Sequence, residues 1–129
     1  MIKLIPLEKS EKLNALCSEY SIEYNENIHA YISADESLKA QCVFSLDNYN
    51  VELLALETDS TDPLVEELLV RAVGSYSANR SGYIFKVSKE LGKKIEATLK
   101  TLNFEKDENG YNGKVPKILE GSCRCKNKD

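Results

Sequence analysis

Apolar and polar residues alternate most regularly between Leu38 and Leu46. Leu38, Ala40, Cys42, Phe44 and Leu46 fall on one side of an extended chain, with Lys39, Gln41, Val43 and Ser45 on the other, which is the period of a β-strand. Asp47-Asn48-Tyr49-Asn50 has turn chemistry, and Val51-Glu52-Leu53-Leu54-Ala55-Leu56 returns as a nearly continuous apolar run, the pattern of a strand covered on both faces. A further run from Ile28 to Ser33 completes a predicted antiparallel meander. Upstream, Ile2-Lys3-Leu4-Ile5 predicts a short strand that stops at Pro6, because proline removes a backbone donor. Leu13, Leu16, Cys17 and Tyr20 then recur at helical spacing among charged residues, with Ser10 as a candidate cap.

Asp62-Pro63 signals a second helix, since a carboxylate can accept the exposed first amides and proline is tolerated at the first helical position. Its predicted apolar face is Leu64, Val65, Leu68, Leu69, Ala72, Val73 and Tyr76, and it ends near Asn79-Arg80-Ser81-Gly82. Tyr83 to Val87 predicts a fifth strand. Ser88 caps one further helix with the stripe Leu91, Ile95, Leu99 and Leu102, weakened by Gly92. Asn103 to Asp107 and Tyr111 to Val115 flank Glu108-Asn109-Gly110, a hairpin signal, and the chain after Pro116 has little to bury. The order predicts an α/β fold: a mixed sheet with an antiparallel meander, a helical crossover that sets the fifth strand parallel to the fourth, and helices on both faces. Residues 1–120 read as a single domain and 121–129 as a polar, cysteine-containing tail. Leu53, Leu54, Leu68, Leu69, Ala72, Val73, Ile84, Leu99 and Phe104 are the expected core.

Composition narrows the classes. The chain has 129 residues, within the usual range of one domain. Leu, Ile, Val and Phe make up 34 of the 129 residues, enough for a core, because chains below roughly 20% tend to stay disordered. The net charge of −4 opposes nucleic-acid binding. No apolar run approaches a membrane span, and the first residues meet Pro6 and charges before a signal-peptide core forms, so a cytoplasmic location without membrane attachment is expected.

The element order, with Leu68-Leu69-Val70-Arg71-Ala72-Val73 and Leu99-Lys100-Thr101-Leu102-Asn103-Phe104-Glu105, resembles the GNAT superfamily of acyl-CoA N-acyltransferases. The resemblance implies transfer of an acetyl or other acyl group from acetyl-CoA or another acyl-CoA to a small-molecule or peptide amine, without a metal. It also implies a splayed gap beside the fourth strand, followed by a glycine-containing loop whose amides hold the cofactor pyrophosphate at a helix start. Here the corresponding segment, Glu57-Thr58-Asp59-Ser60-Thr61-Asp62-Pro63-Leu64-Val65-Glu66-Glu67, has no glycine and no basic residue, and it carries Asp59, Asp62, Glu66 and Glu67. The tyrosine that many members use as general acid corresponds to Leu99, and Asn103 stands where a glycine precedes the phenylalanine.

The candidate site follows from this. Glu57, at the end of the fourth strand, is either a general base whose pKa burial raises or a solvated carboxylate. Backbone groups of Leu54, Ala55 and Leu56 are candidates for strand-like pairing with a pantetheine arm. Ser60, Thr61, Leu64 and Val65 are the candidate phosphate-side contacts. A noncatalytic binding or regulatory module on the same fold is the alternative. Cys123 and Cys125, with Arg124 between them, form either a reactive thiol pair or an incidental feature of the tail, and two thiols are too few for structural zinc. Cys17 and Cys42 read as core residues, and His29 as structural.

Overall fold

The computed structural model describes residues 2–7 and 11–124, the last four of these without their side chains. The elements are β1 (Leu4–Leu7), α1 (Glu11–Glu19), β2 (Ile28–Ser33), β3 (Ala40–Asp47), β4 (Asn50–Thr58), α2 (Pro63–Ala78), β5 (Ile84–Ser88), α3 (Lys89–Lys94), α4 (Glu96–Thr101), β6 (Glu105–Asp107), β7 (Gly110–Lys114) and α5 (Val115–Arg124). The strands form one mixed sheet in the order β1-β2-β3-β4-β5-β7-β6. Pairing is antiparallel from β1 through β4, parallel between β4 and β5, and antiparallel again from β5 through β7 to β6. The predicted meander and crossover are therefore present. The β3–β4 hairpin closes on Asp47 opposite Asn50, with Asn48 at φ 58°, a left-handed conformation that asparagine tolerates.

Two cores lie on opposite faces of the sheet. On one, Leu13, Leu16 and Cys17 of α1 pack on Ile28, Ala30, Val43 and Ala55. On the other, Val65, Leu69, Val70 and Val73 of α2 meet Cys42, Phe44, Val51, Leu53, Phe85 and Val87, joined by Ile95, Leu99, Leu102 and Ile118. Leu69 and Val73 are fully buried as expected, whereas Leu54, Leu68, Ala72 and Ile84 are half-buried. The buried stripe of α2 is rotated toward Val70, Gly74 and Ser77, and Leu64 is exposed. Asp62 caps α2 through Leu64 N (3.0 Å), and Ser88 caps α3 through Leu91 N (3.2 Å).

Three expectations change. Pro6 does not end the first strand; it lies within β1 opposite Tyr31. β1 is an edge strand, where a missing donor on the outer side interrupts no ladder. The single helix after Ser88 is two short ones, broken at Ile95, whose φ of −124° and ψ of 28° leave the helical region while the side chain stays in the core. The chain after Pro116 does have something to bury. Pro116 sits in the first turn of α5, where its missing amide costs no hydrogen bond, and Ile118 is fully buried in the α2-side core. The side chain of Cys123, together with Ser10 and Cys125, lies outside the described residues.

Gly92 has a packing reason. A Cβ built there would lie 2.1 Å from Cδ1 and 2.3 Å from Cε1 of the Tyr111 ring. That ring is buried, and its hydroxyl donates to Glu96 Oε2 (2.5 Å). Gly92→Ala is expected to destabilise the protein, because overpacking of about 1 to 3 kcal/mol exceeds the helix-propensity gain of at most about 1 kcal/mol. Thermal denaturation checks this, and an unchanged or raised Tm would show that the ring moves aside freely.

Candidate active site

β4 carries an irregularity that shapes everything around it. Val43 pairs with Ala55 and Phe44 with Leu53, so Leu54 is an extra residue opposite neither. Such a bulge shifts side-chain alternation by one and bends the strand. Leu53 faces the α2 side, Leu54 and Ala55 both face the α1 side, and Leu56 faces the α2 side again. β4 also leaves β5 at this point. Their pairing runs from Asn50 opposite Ile84 to Leu53 opposite Val87, whereas β4 continues to Thr58. The separation opens a cleft of about 240 Å³ lined by Leu54, Ala55 and Leu56 on one side, by Ser88, Glu90, Leu91 and Lys94 on the other, and by Tyr20 from the end of α1.

The bulge also turns Glu57 toward α1. Tyr20 Oη donates to Glu57 Oε1 (2.5 Å), Gln41 Nε2 donates to Tyr20 Oη (2.6 Å), and Lys39 Nζ lies 3.2 Å from Glu57 Oε2. The Glu57 side chain is 43% exposed. The pKa rise expected of a buried general base does not occur: the Tyr20 hydrogen bond, followed by Lys39, outweighs the smaller upward effect of burial and holds Glu57 below the ordinary glutamate value. Burial and then the Glu57 carboxylate push the Tyr20 phenol up, so the shared proton rests on the tyrosine. A carboxylate in this state is ionised at neutral pH and is a weak base.

The phosphate-side candidates are placed differently. Ser60, Thr61, Leu64 and Val65 lie beyond the end of β4, outside the cleft lining. Asp59 N donates to Lys39 O, Ser60 N to Thr58 Oγ1, Asp62 N to Ser60 Oγ, Leu64 N to Asp62 Oδ1 and Val65 N to Asp62 O. The Val65 side chain is in the core. A pantetheine arm fits the cleft, with its mixed apolar and polar lining and an unpaired strand edge. A pyrophosphate does not fit the loop, because those amides are engaged and the Asp62 carboxylate already occupies the start of α2.

Leu99 is fully buried in the α2-side core and does not line the cleft. Asn103 adopts φ 70° and donates from Nδ2 to Lys117 O (3.0 Å), which keeps the left-handed backbone that a glycine would otherwise supply. Phe104 packs edge-on to Phe85. Cys17 and Cys42 are buried free thiols, and burial raises Cys42 to about 12. His29 Nδ1 lies 3.1 Å from Tyr76 Oη within a ring cluster that includes Phe44. Among the described residues no cluster of three metal-ligating side chains occurs, and no helix is long and apolar enough to cross a membrane.

The cleft is lined by three of the site residues singled out in the sequence, Leu54, Ala55 and Leu56, together with Tyr20, Leu91 and Lys94, which the sequence did not single out as site residues, while Glu57 lies beside the lining on Tyr20. Tyr20 was legible only as the last residue of an apolar stripe. Its partner lies 37 positions away.

No protein-family model matches the sequence, and no curated protein matches it. Solved structures match in fold. The E. coli protein YhhK, a candidate N-acetyl transferase whose solution structure has coenzyme A bound, aligns with a TM-score of 0.65 and 16% identity over 88% of this chain and 98% of that one. A GNAT-family acetyltransferase from Staphylococcus aureus Mu50 aligns at 0.63 and 11% identity over 89% and 99%. A candidate acyl-CoA N-acyltransferase from Klebsiella pneumoniae gives 0.63 and 11% over 89% and 98%. With the bulged fourth strand, the parallel crossover and the cleft beside it, the chain has the fold of the GNAT acyl-CoA N-acyltransferases.

Proposed function

We propose that the chain is an N-acyltransferase whose β4–β5 cleft takes the pantetheine arm of an acyl-CoA and delivers its acyl group to a small-molecule or peptide amine. The observation that carries this reading is the end of β4–β5 pairing at Leu53, which leaves the edge of Leu54 to Leu56 facing a cleft. Amide groups on an extended arm pair with such an edge as an added strand would. Bound there, the thioester supplies an activated carbonyl. Tyr20 Oη, held between Gln41 and Glu57, accepts the proton that the amine loses as its nitrogen bonds to the acyl carbon and the thiolate leaves. The phenol's own proton passes transiently to Glu57 and from that solvent-exposed carboxylate to water.

A noncatalytic module is favoured by one observation, the internal use of the amides of Asp59, Ser60, Asp62, Leu64 and Val65. Thermal-shift measurements with acetyl-CoA, paired with a free-thiol assay against a panel of amines, separate the two. The acyltransferase reading expects a Tm that rises with ligand concentration and release of thiol on amine addition. A Tm shift without thiol release supports the module. No shift at millimolar acetyl-CoA removes acyl-CoA as the donor.

A further inference from the structure

The two parts of the donor site disagree, and the disagreement indicates a substrate class. The cleft is formed, with a free strand edge between leucine side chains and the polar groups of Tyr20, Glu90 and Lys94, while the loop that follows it is closed against anions from inside. Asp62 Oδ1 accepts the amide of Leu64, so the positive end of α2 already holds a carboxylate, and Pro63 has no amide to offer. Glu66, in the same first turn, is fixed by Thr98 Oγ1 (2.9 Å). Of the cations nearby, Lys39 faces Glu57, and Lys94 lines the cleft rather than the loop. Asp59 Oδ1 accepts the backbone amide of Lys39, not its ammonium group. A phosphate arriving here meets two aspartates and a glutamate, with the amides of Asp59, Ser60, Asp62, Leu64 and Val65 spent.

We infer that the cleft recognises the pantetheine arm of its donor without engaging a nucleotide pyrophosphate. By class, then, its ligands are acyl-pantetheine thioesters, and the phosphates of coenzyme A add repulsion where the fold would ordinarily add affinity. This rests on the acyl-donor reading above. The repulsion is Coulombic between exposed groups, so salt screens it; the Debye length is about 10 Å at 0.1 M and about 30 Å at 0.01 M. The arm itself is neutral, and its binding has no such dependence.

The test is calorimetric titration of the whole chain with acetyl-pantetheine, acetyl-phosphopantetheine and acetyl-CoA, probes of increasing negative charge, at low and moderate ionic strength. Acetyl-pantetheine is expected to bind at least as tightly as acetyl-CoA, with the phosphorylated probes weakening several-fold as salt is lowered. Asp59→Asn with Asp62→Asn is expected to tighten acetyl-CoA several-fold at low salt and to leave acetyl-pantetheine unchanged, because asparagine retains the capping hydrogen bond. Acetyl-CoA binding about tenfold or more tighter than acetyl-pantetheine, a difference of roughly 1.4 kcal/mol, overturns the inference and leaves the acyl-donor reading standing. Acetyl-CoA that tightens at low salt does the same, as does a double variant with unaltered affinity. If none of the three probes binds at millimolar concentration, the acyl-donor reading itself fails and the inference falls with it.

Discussion

Leu69→Ala is expected to lower the free energy of unfolding by about 2 to 5 kcal/mol. Leu69 is fully buried on α2 in the core that joins this helix to β3, β4 and β5. Truncation removes its transfer free energy and leaves a cavity between two rigid layers that relax only in part. The crossover helix is what brings β5 alongside β4, so loosening it also loosens the pairing that ends at Leu53 and defines the cleft. Urea denaturation measures the loss as a lower midpoint at an unchanged m-value. Leu64→Ala is the matched control, because Leu64 is 48% exposed on the same helix and is expected to change stability by no more than about 0.5 kcal/mol. A loss below about 0.5 kcal/mol at Leu69 would contradict its burial.

Tyr20→Phe is expected to lower kcat for acyl transfer by about 10²-fold or more, the scale of a lost general acid–base group, with KM changed much less. Removing the hydroxyl leaves the ring's packing in place but deletes the atom that joins Gln41 to Glu57. Glu57→Gln tests the positioning role of the carboxylate behind the phenol. The native Glu57 pKa is depressed, so the carboxylate is ionised at neutral pH and the acid limb of the native kcat profile falls below the ordinary glutamate range. The glutamine variant is expected to be slow at every pH and to lack that limb. Stability carries the same sign. A carboxylate with a depressed folded-state pKa contributes stability above its unfolded pKa, and that contribution disappears as pH falls through the folded value. The native protein therefore loses stability on acidification over a window that Glu57→Gln does not show. Equal kcat for Tyr20→Phe and the native chain, or the same acid limb in Glu57→Gln, would remove the relay from the mechanism.

The amino-acid sequence by itself determined the parts of this protein that rest on neighbouring residues. Asp62-Pro63 and Ser88 placed two helix starts, Asp47 to Asn50 placed a hairpin, and alternation in Leu38 to Leu46 assigned Cys42 and Phe44 to one face, because caps, turns and strand periods are satisfied within a few positions. The alternation on the return strand was not legible in the same way. Leu53-Leu54-Ala55-Leu56 is apolar at every position, so nothing in the pattern marks which residue is the insertion. Only the pairing of β3 with β4 made Leu54 the extra residue. That choice turned Glu57 toward Tyr20 and left the strand edge open beside β5. The burial of Ile118 after a proline was also decided at a distance, by the α2-side core that receives it. Tertiary structure settled these points because a bulge, a shared proton and a covered face each need a partner far along the chain, and local periodicity carries no record of where that partner lies.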